Sequence, residues 1–278
     1  MGTNAIQLSH AGLGINAENR NRLTRLLRSG PGPFTVEDAA AALGMSAPRA
    51  RRFLAYLASR GWLVRIRPGL YAAVPLEAAR PSEWRTDPWV VAAQVFAPCY
   101  VGGWSACEHW GLTEQLFRSV VILSARWVRD RTPTIQGTSY KVKVIRPERV
   151  FGTRPVWRSG VRVEVSDPAR TILELLDDPA LGGGIRHVSD VLRTWFEGDM
   201  RNDGLLLEYA ERLGNRSVYK RLGFLVEALE IPATDLIQAC QRRMSEGVVR
   251  LDPSGSQGGR RVGRWRLIAN ATVGSSLS

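Results

Sequence analysis

Five arginines in two short stretches carry the most readable chemistry of this chain. Arg49, Arg51 and Arg52 lie in APRARRFLAYLAS, and Arg65 and Arg67 lie in WLVRIRPGLYAA. A guanidinium fork reaches two acceptors at once, which suits phosphate oxygens and the guanine edge. On a helical wheel turning about 100° per residue, Phe53, Leu54 and Leu57 fall on the side of Ala50. Arg52 then points almost directly away, flanked by Arg49 and Arg51. One face is core and the other is cationic. Three such arginines alone are an ordinary solvated face; the flanking elements set them apart.

The elements that must hold these groups are legible on either side. Thr35 has the character of an N-cap, with Asp38 three residues on to close a capping box. Val36, Ala39, Ala40 and Leu43 recur at helical spacing. Gly44 supplies a left-handed turn residue, and Ser46 caps the helix that carries Arg49, Arg51 and Arg52. After Gly61, apolar and basic residues alternate about Pro68-Gly69, a type II turn signature, which predicts a hairpin with Arg65 and Arg67 near its tip. Upstream, Asn19–Arg28 reads as a first helix that buries Leu23, Leu26 and Leu27. Helix, tight turn, basic helix and basic hairpin make a winged helix-turn-helix, whose second helix enters the major groove. The candidate DNA-contacting residues are Thr35, Ser46, Arg49, Arg51, Arg52, Arg65 and Arg67.

The charge distribution points the same way. The chain has 278 residues, and about 150 per domain predicts two domains. Hydrophobic residues make up 44% and charged residues 23%, enough for a sizeable core. The formal net charge is +12, and between Arg20 and Pro75 ten arginines face only Glu37 and Asp38. A basic module beside a nearly balanced remainder predicts a polyanion partner for the first and a different task for the second. Cys99, Cys107 and Cys240 have no metal-ligand or redox spacing. No secretory signal is visible, and the longest apolar stretch, Trp89 to Trp104, contains Gln94 and Pro98. These features predict a soluble, cytoplasmic protein with no membrane partner.

The predicted organisation is a loose lead-in over 1–18, the winged module over 19–75, a proline-punctuated linker over 76–87, a larger domain over 88–270 and a short tail over 271–278. Within the larger domain, Asp87-Pro88 starts a helix and Gly102-Gly103 opens another that ends at Gly111. Strands are expected in 119–127, 139–150 and 160–166, forming a small mixed or antiparallel sheet. Five short helices follow from Asp167 onward, and VGRWRLIAN reads as a last strand returning to that sheet. The fold class is α+β, with an α/β C-terminal domain.

No catalytic signature stands out. There is no phosphate loop, no GxGxxG after a strand and no HExxH. GGWSAC resembles a nucleophile elbow only superficially, with Ser105 lacking the second glycine and His109 four residues away on the same helix. His10, His109 and His187 are scattered, so neither metal nor cofactor is expected. Asp167, Arg170 and Glu174 share a helical face and read as a structural ion pair. Eight of the nine tryptophans lie outside the winged module, where they fill the core or serve a protein-binding surface. Arg126, Arg129, Arg131, Lys141 and Lys143, with Arg146, form a second basic cluster, a candidate partner or DNA surface.

The chain resembles the AbiE-type antitoxins, transcriptional regulators of bacterial toxin–antitoxin operons. The resemblance is carried by the winged module with RIRPGLY, by YVGGWSACEHWGLT, and most specifically by EVSDPARTILELLDDP and LLLEYAERLGNRSVYKRLGFLVEAL. It implies an N-terminal domain that binds inverted repeats in its own promoter as double-stranded DNA. It also implies a C-terminal domain that opposes a cognate nucleotidyltransferase-like toxin, directly or indirectly. Carried onto this sequence, it supports Arg49, Arg51 and Arg52 on the helix and Arg65 and Arg67 on the wing. An inverted repeat further implies a dimer on DNA. The chain lacks the GS…DxD pattern of the toxin and is not expected to be an enzyme. Two other classes stay open: a ligand-responsive winged-helix regulator, and a nuclease with a winged specificity domain.

Overall fold

The computed structural model describes residues 14–78, 80 and 82–273. Most of the expected lead-in and the last five residues of the expected tail lie outside them. By contacts the chain forms two units. The first runs as far as Gln94 and adds Ile135–Gly137 and Trp157–Arg162; the second holds Val95–Thr134, Thr138–Val156 and the chain from Val163.

The first unit begins with α1 (Ala17–Leu27), which starts before the expected Asn19 because Asn16 Oδ1 accepts from the Asn19 N–H at 2.8 Å. Leu23 and Leu26 face inward, whereas Leu27, the final residue of the helix, is 40% exposed, contrary to its expected burial. Then come β1 (Phe34–Thr35), α2 (Val36–Leu43), α3 (Ala47–Ser59), β2 (Leu63–Arg67) and β3 (Leu70–Ala73). The strands form a sheet of order β1-β3-β2 with antiparallel pairing. Val36, Ala39, Ala50, Leu54 and Leu57 are buried together beneath the helices. This unit also contains α4 (Pro88–Val95) up to Gln94, with Asp87 Oδ1 accepting from the Trp89 N–H at 2.8 Å.

Beyond Val95 come β4 (Cys99–Val101), α5 (Gly103–His109), β5 (Ser119–Ser124), β6 (Thr134–Ile135), β7 (Thr138–Val144), β8 (Thr153–Arg158) and β9 (Val161–Ser166), all in the second unit except Ile135, Trp157–Arg158 and Val161–Arg162. They make a six-stranded sheet of order β6-β7-β5-β4-β9-β8. It is mixed: β5 runs parallel to β7, β4 runs parallel to β9, and β4 and β5 are antiparallel. In β7 the period of two is plain, with Tyr140 and Val142 buried and Lys141 and Lys143 half-buried. Sequence reading missed β4 and β8. The first is only three residues long, and the second carries Pro155, which demotes a strand signal.

Helices α6 (Pro168–Asp177), α7 (Ile185–Glu197), α8 (Asp203–Leu213), α9 (Ser217–Ala228) and α10 (Thr234–Arg243) follow as expected. The chain closes with β10 (Val249–Arg250), β11 (Arg260–Val262) and β12 (Leu267–Ala269). The expected return of the last strand to the main sheet is corrected: β12 lies between β10 and β11 in a separate three-stranded sheet. A 3-10 turn over Gly263–Trp265 breaks VGRWRLIAN and drives the Trp265 indole into the helices. There Gly223 of α9 receives it: a Cβ on that glycine would stand 2.1 Å from the ring.

Candidate nucleic-acid interface

Local chemistry fixes α2 at both ends and sets the start of the cationic helix α3. The capping box closes as the sequence predicts, the Asp38 N–H donating to Thr35 Oγ1 at 3.1 Å and the Thr35 N–H donating to Asp38 Oδ2 at 2.8 Å. Gly44 ends α2 at φ 64°, where a Cβ is disfavoured. The Met45 N–H then reaches Ala40 O at 3.0 Å and the Gly44 N–H reaches Ala41 O at 3.3 Å, a Schellman closure. Ser46 occupies the N-cap of α3, but its hydroxyl makes no capping hydrogen bond. Its extended φ, ψ and a proline in the first turn set the start of the helix instead.

The helix then sorts its faces. Ala50, Leu54 and Leu57 are 0% exposed, Phe53 is half-buried, and Arg49, Arg51 and Arg52 are exposed. In the hairpin, Arg65 and Arg67 are exposed on β2 while Ile66 between them is buried. Gly69 turns the chain at φ 82°, and Gly69 O accepts from the Val36 N–H at 3.1 Å, which ties the turn to the start of α2. None of these five guanidinium groups is ion-paired with a carboxylate among the described residues. Arg22 differs: it pairs with Glu18 and lies over the Phe53 ring, 5.9 Å from its centroid.

The second basic cluster is divided by the structure. Arg126, Arg129 and Arg131 are exposed in the loop after β5. Lys141 Nζ donates to Ala180 O at 2.6 Å and lies 4.8 Å from the Trp104 ring centroid, and burial lowers its pKa. Lys143 Nζ sits 3.0 Å from Asp177 and 3.1 Å from Asp178. Both lysines are spent on the chain's own groups. Counting by shorter segments shows a feature that sequence reasoning missed. Residues 76–239 hold 21 basic and 21 acidic side chains, whereas 240–273 hold seven arginines against Glu246 and Asp252.

The weak catalytic signals resolve into packing. Ser105 is 3% exposed, and its Oγ accepts from the Val121 N–H at 3.0 Å. His109 meets Trp110 edge-on, with centroids 4.6 Å apart. Burial pushes the Cys99 and Cys240 thiols up to about 12. No group of three His, Cys, Asp or Glu side chains suited to a metal ion occurs among the described residues. No described helix is long and apolar enough to cross a membrane.

Comparison with known proteins gives one likeness in fold and one in sequence. No curated protein matches the chain. A crystal structure of the RV2827C protein from Mycobacterium tuberculosis is similar in fold, with a TM-score of 0.62 at 19% identity over 93% of this chain and 94% of that one. Residues 21–74, which span α2, α3 and the hairpin, match a family model described as transcriptional regulator, AbiEi antitoxin. Over that segment the chain is similar to the AbiEi antitoxin family of transcriptional regulators.

Proposed function

We propose that the chain is a DNA-binding repressor and antitoxin. On this reading α2, α3 and the β2–β3 hairpin are a winged helix-turn-helix that reads inverted repeats in its own promoter, with two copies on neighbouring half-sites. Residues 19–75 are the DNA-binding domain, 76–87 the linker, and 88–270 the part that opposes a cognate nucleotidyltransferase-like toxin in the cytoplasm. One observation carries the reading: five exposed guanidinium groups on one helix face and one hairpin, none ion-paired among the described residues. Arg49, Arg51 and Arg52 contact bases and phosphates in the major groove, Arg65 and Arg67 contact phosphate, and Thr35 and Ser46 stand at the two helix starts.

The test is a gel shift on the DNA upstream of the reading frame. Arg49→Ala with Arg52→Ala should weaken binding at least tenfold, since each base-reading arginine contributes about 1–3 kcal/mol. Unchanged affinity in the double variant would remove α3 as the recognition element. A second reading, a ligand-responsive regulator, draws on a crevice of about 600 Å³ in the first unit, bordered by Leu26, Pro31, Phe34, Asp38, Gln94 and Val161. A small molecule that raises the unfolding temperature and releases promoter DNA would favour it.

A further inference from the structure

We propose that the loop between β5 and β6 binds an unpaired nucleobase and its flanking phosphates, with Trp127 as the stacking platform and Arg129 and Arg131 as the phosphate contacts. Trp127 is 70% exposed, whereas Trp195 and Trp265 in the same unit are fully buried. An indole left in water forgoes the burial that the others take. Exposure here does not reflect a slack loop. The Ala125 N–H donates to Pro98 O at 2.8 Å, Ser124 Oγ donates to Phe96 O at 2.8 Å, and the Arg126 guanidinium donates to Val95 O. At the far end, Arg131 O accepts from the Val142 N–H at 2.8 Å and Pro133 O accepts from the Tyr140 N–H at 2.9 Å. The platform is held before any ligand arrives, which cuts the ordering cost of binding.

The charges beside it are available. Arg129 and Arg131 are exposed, and neither is ion-paired among the described residues. Asp130 between them is exposed and hydrogen-bonds the local backbone, Oδ1 accepting from the Thr132 N–H at 2.9 Å. An aromatic face flanked by free guanidinium groups is the composition that binds single strands, because every base has a π-face and every link a phosphate. A duplex offers base edges rather than faces, and its charge density calls for a broad positive field. Residues 76–239 supply no such field, their 21 cations and 21 anions cancelling. A protein hot spot would ring the indole with apolar contacts; here Val128 is half-buried and the exposed loop residues are polar, Arg126, Arg129 and Arg131 with Asp130 and Thr132.

The test uses the full chain carrying Arg49→Ala and Arg52→Ala, so that the proposed duplex interface does not contribute. Fluorescence anisotropy would follow binding of a short oligothymidylate and an oligouridylate of equal length, the two arms separating DNA from RNA. Trp127→Ala should lose roughly 5- to 100-fold in affinity, while Trp127→Phe keeps most of it. Arg129→Gln with Arg131→Gln should flatten the dependence of log affinity on log salt by about 1.4. The unfolding midpoint should not move in any of these surface variants. Equal binding by Trp127→Ala, no binding of either strand, or equal competition by polyglutamate would overturn the proposal. A loss of promoter-duplex affinity on Trp127→Ala in the otherwise wild-type chain, with single-strand binding unchanged, would also overturn it. Failure of the winged-helix reading would appear only in the Arg49/Arg52 arm.

Discussion

The same side chain is used in opposite ways by the two halves of this molecule. On α3 and β2 the arginines stand in solvent without ion-pair partners among the described residues. On α6 and α9 they are buried and hydrogen-bonded by the chain's own groups, although Arg170 Nη1 has no acceptor among the described residues. Arg170 donates from Nε to Glu174 Oε1 at 3.2 Å and from Nη2 to Tyr100 Oη at 3.1 Å and Arg149 O at 3.2 Å, and lies 4.2 Å from the Phe151 ring centroid. Arg221 gathers backbone carbonyls, Leu176 O at 2.8 Å, Leu251 O at 3.0 Å and Arg250 O at 3.2 Å. The lesson concerns availability. A guanidinium group turned onto the chain's own acceptors holds strands and helix ends together, and one whose donors face water is ready for an anion from outside.

The contrast can be tested hardest at Arg170. Arg170→Met strands the Glu174 carboxylate in the interior and should cost about 3–5 kcal/mol in urea unfolding. Adding Glu174→Gln, which keeps an acceptor for the Gly103 N–H at 3.0 Å, should recover much of that loss. Burial raises the Glu174 pKa above its ordinary 4.5, so its contribution to stability is fullest below that value and falls as pH rises through the folded pKa. Glu174→Gln alone should abolish this fall. A surviving fall would place its origin elsewhere.

The exposed half should respond differently. Thr35→Ala opens the capping box and should cost about 1 kcal/mol, read as a lower thermal midpoint, with weaker DNA binding following only from the frayed start of α2. Arg65→Gln or Arg67→Gln should leave the midpoint where it is. Each should reduce the salt slope of promoter binding by about 0.9 and weaken all sequences alike. A sequence-selective loss at either position would move base reading into the hairpin.

Legibility in the sequence followed the range of the interactions. The capping box, Gly44 and the faces of α3 depend on residues within four positions of one another, and all were readable. So was the pairing of Arg170 with Glu174, one helical turn apart. Ser46 was misjudged because the extended backbone and the first-turn proline do the work assigned to its hydroxyl. Lys141 and Lys143 looked like members of a surface patch because Ala180 and Asp177, which occupy them, lie more than thirty residues away. The three-residue β4 offers too few residues for a period, and the break in VGRWRLIAN depends on where Trp265 goes. Long-range partners decide such positions, and spacing does not encode them.

Gly223 carries a consequence for how the molecule is made. A glycine inside a helix costs about 1 kcal/mol relative to alanine, and here it leaves a hydrogen-sized notch that only the Trp265 ring fills. The indole then donates to Glu227 Oε2 at 2.6 Å. Because the ring is translated some forty residues after its socket, α9 leaves the ribosome with an unfilled gap. The helical half stays open until Trp265 has been made, and a chain that stops short of it lacks the piece that seals it.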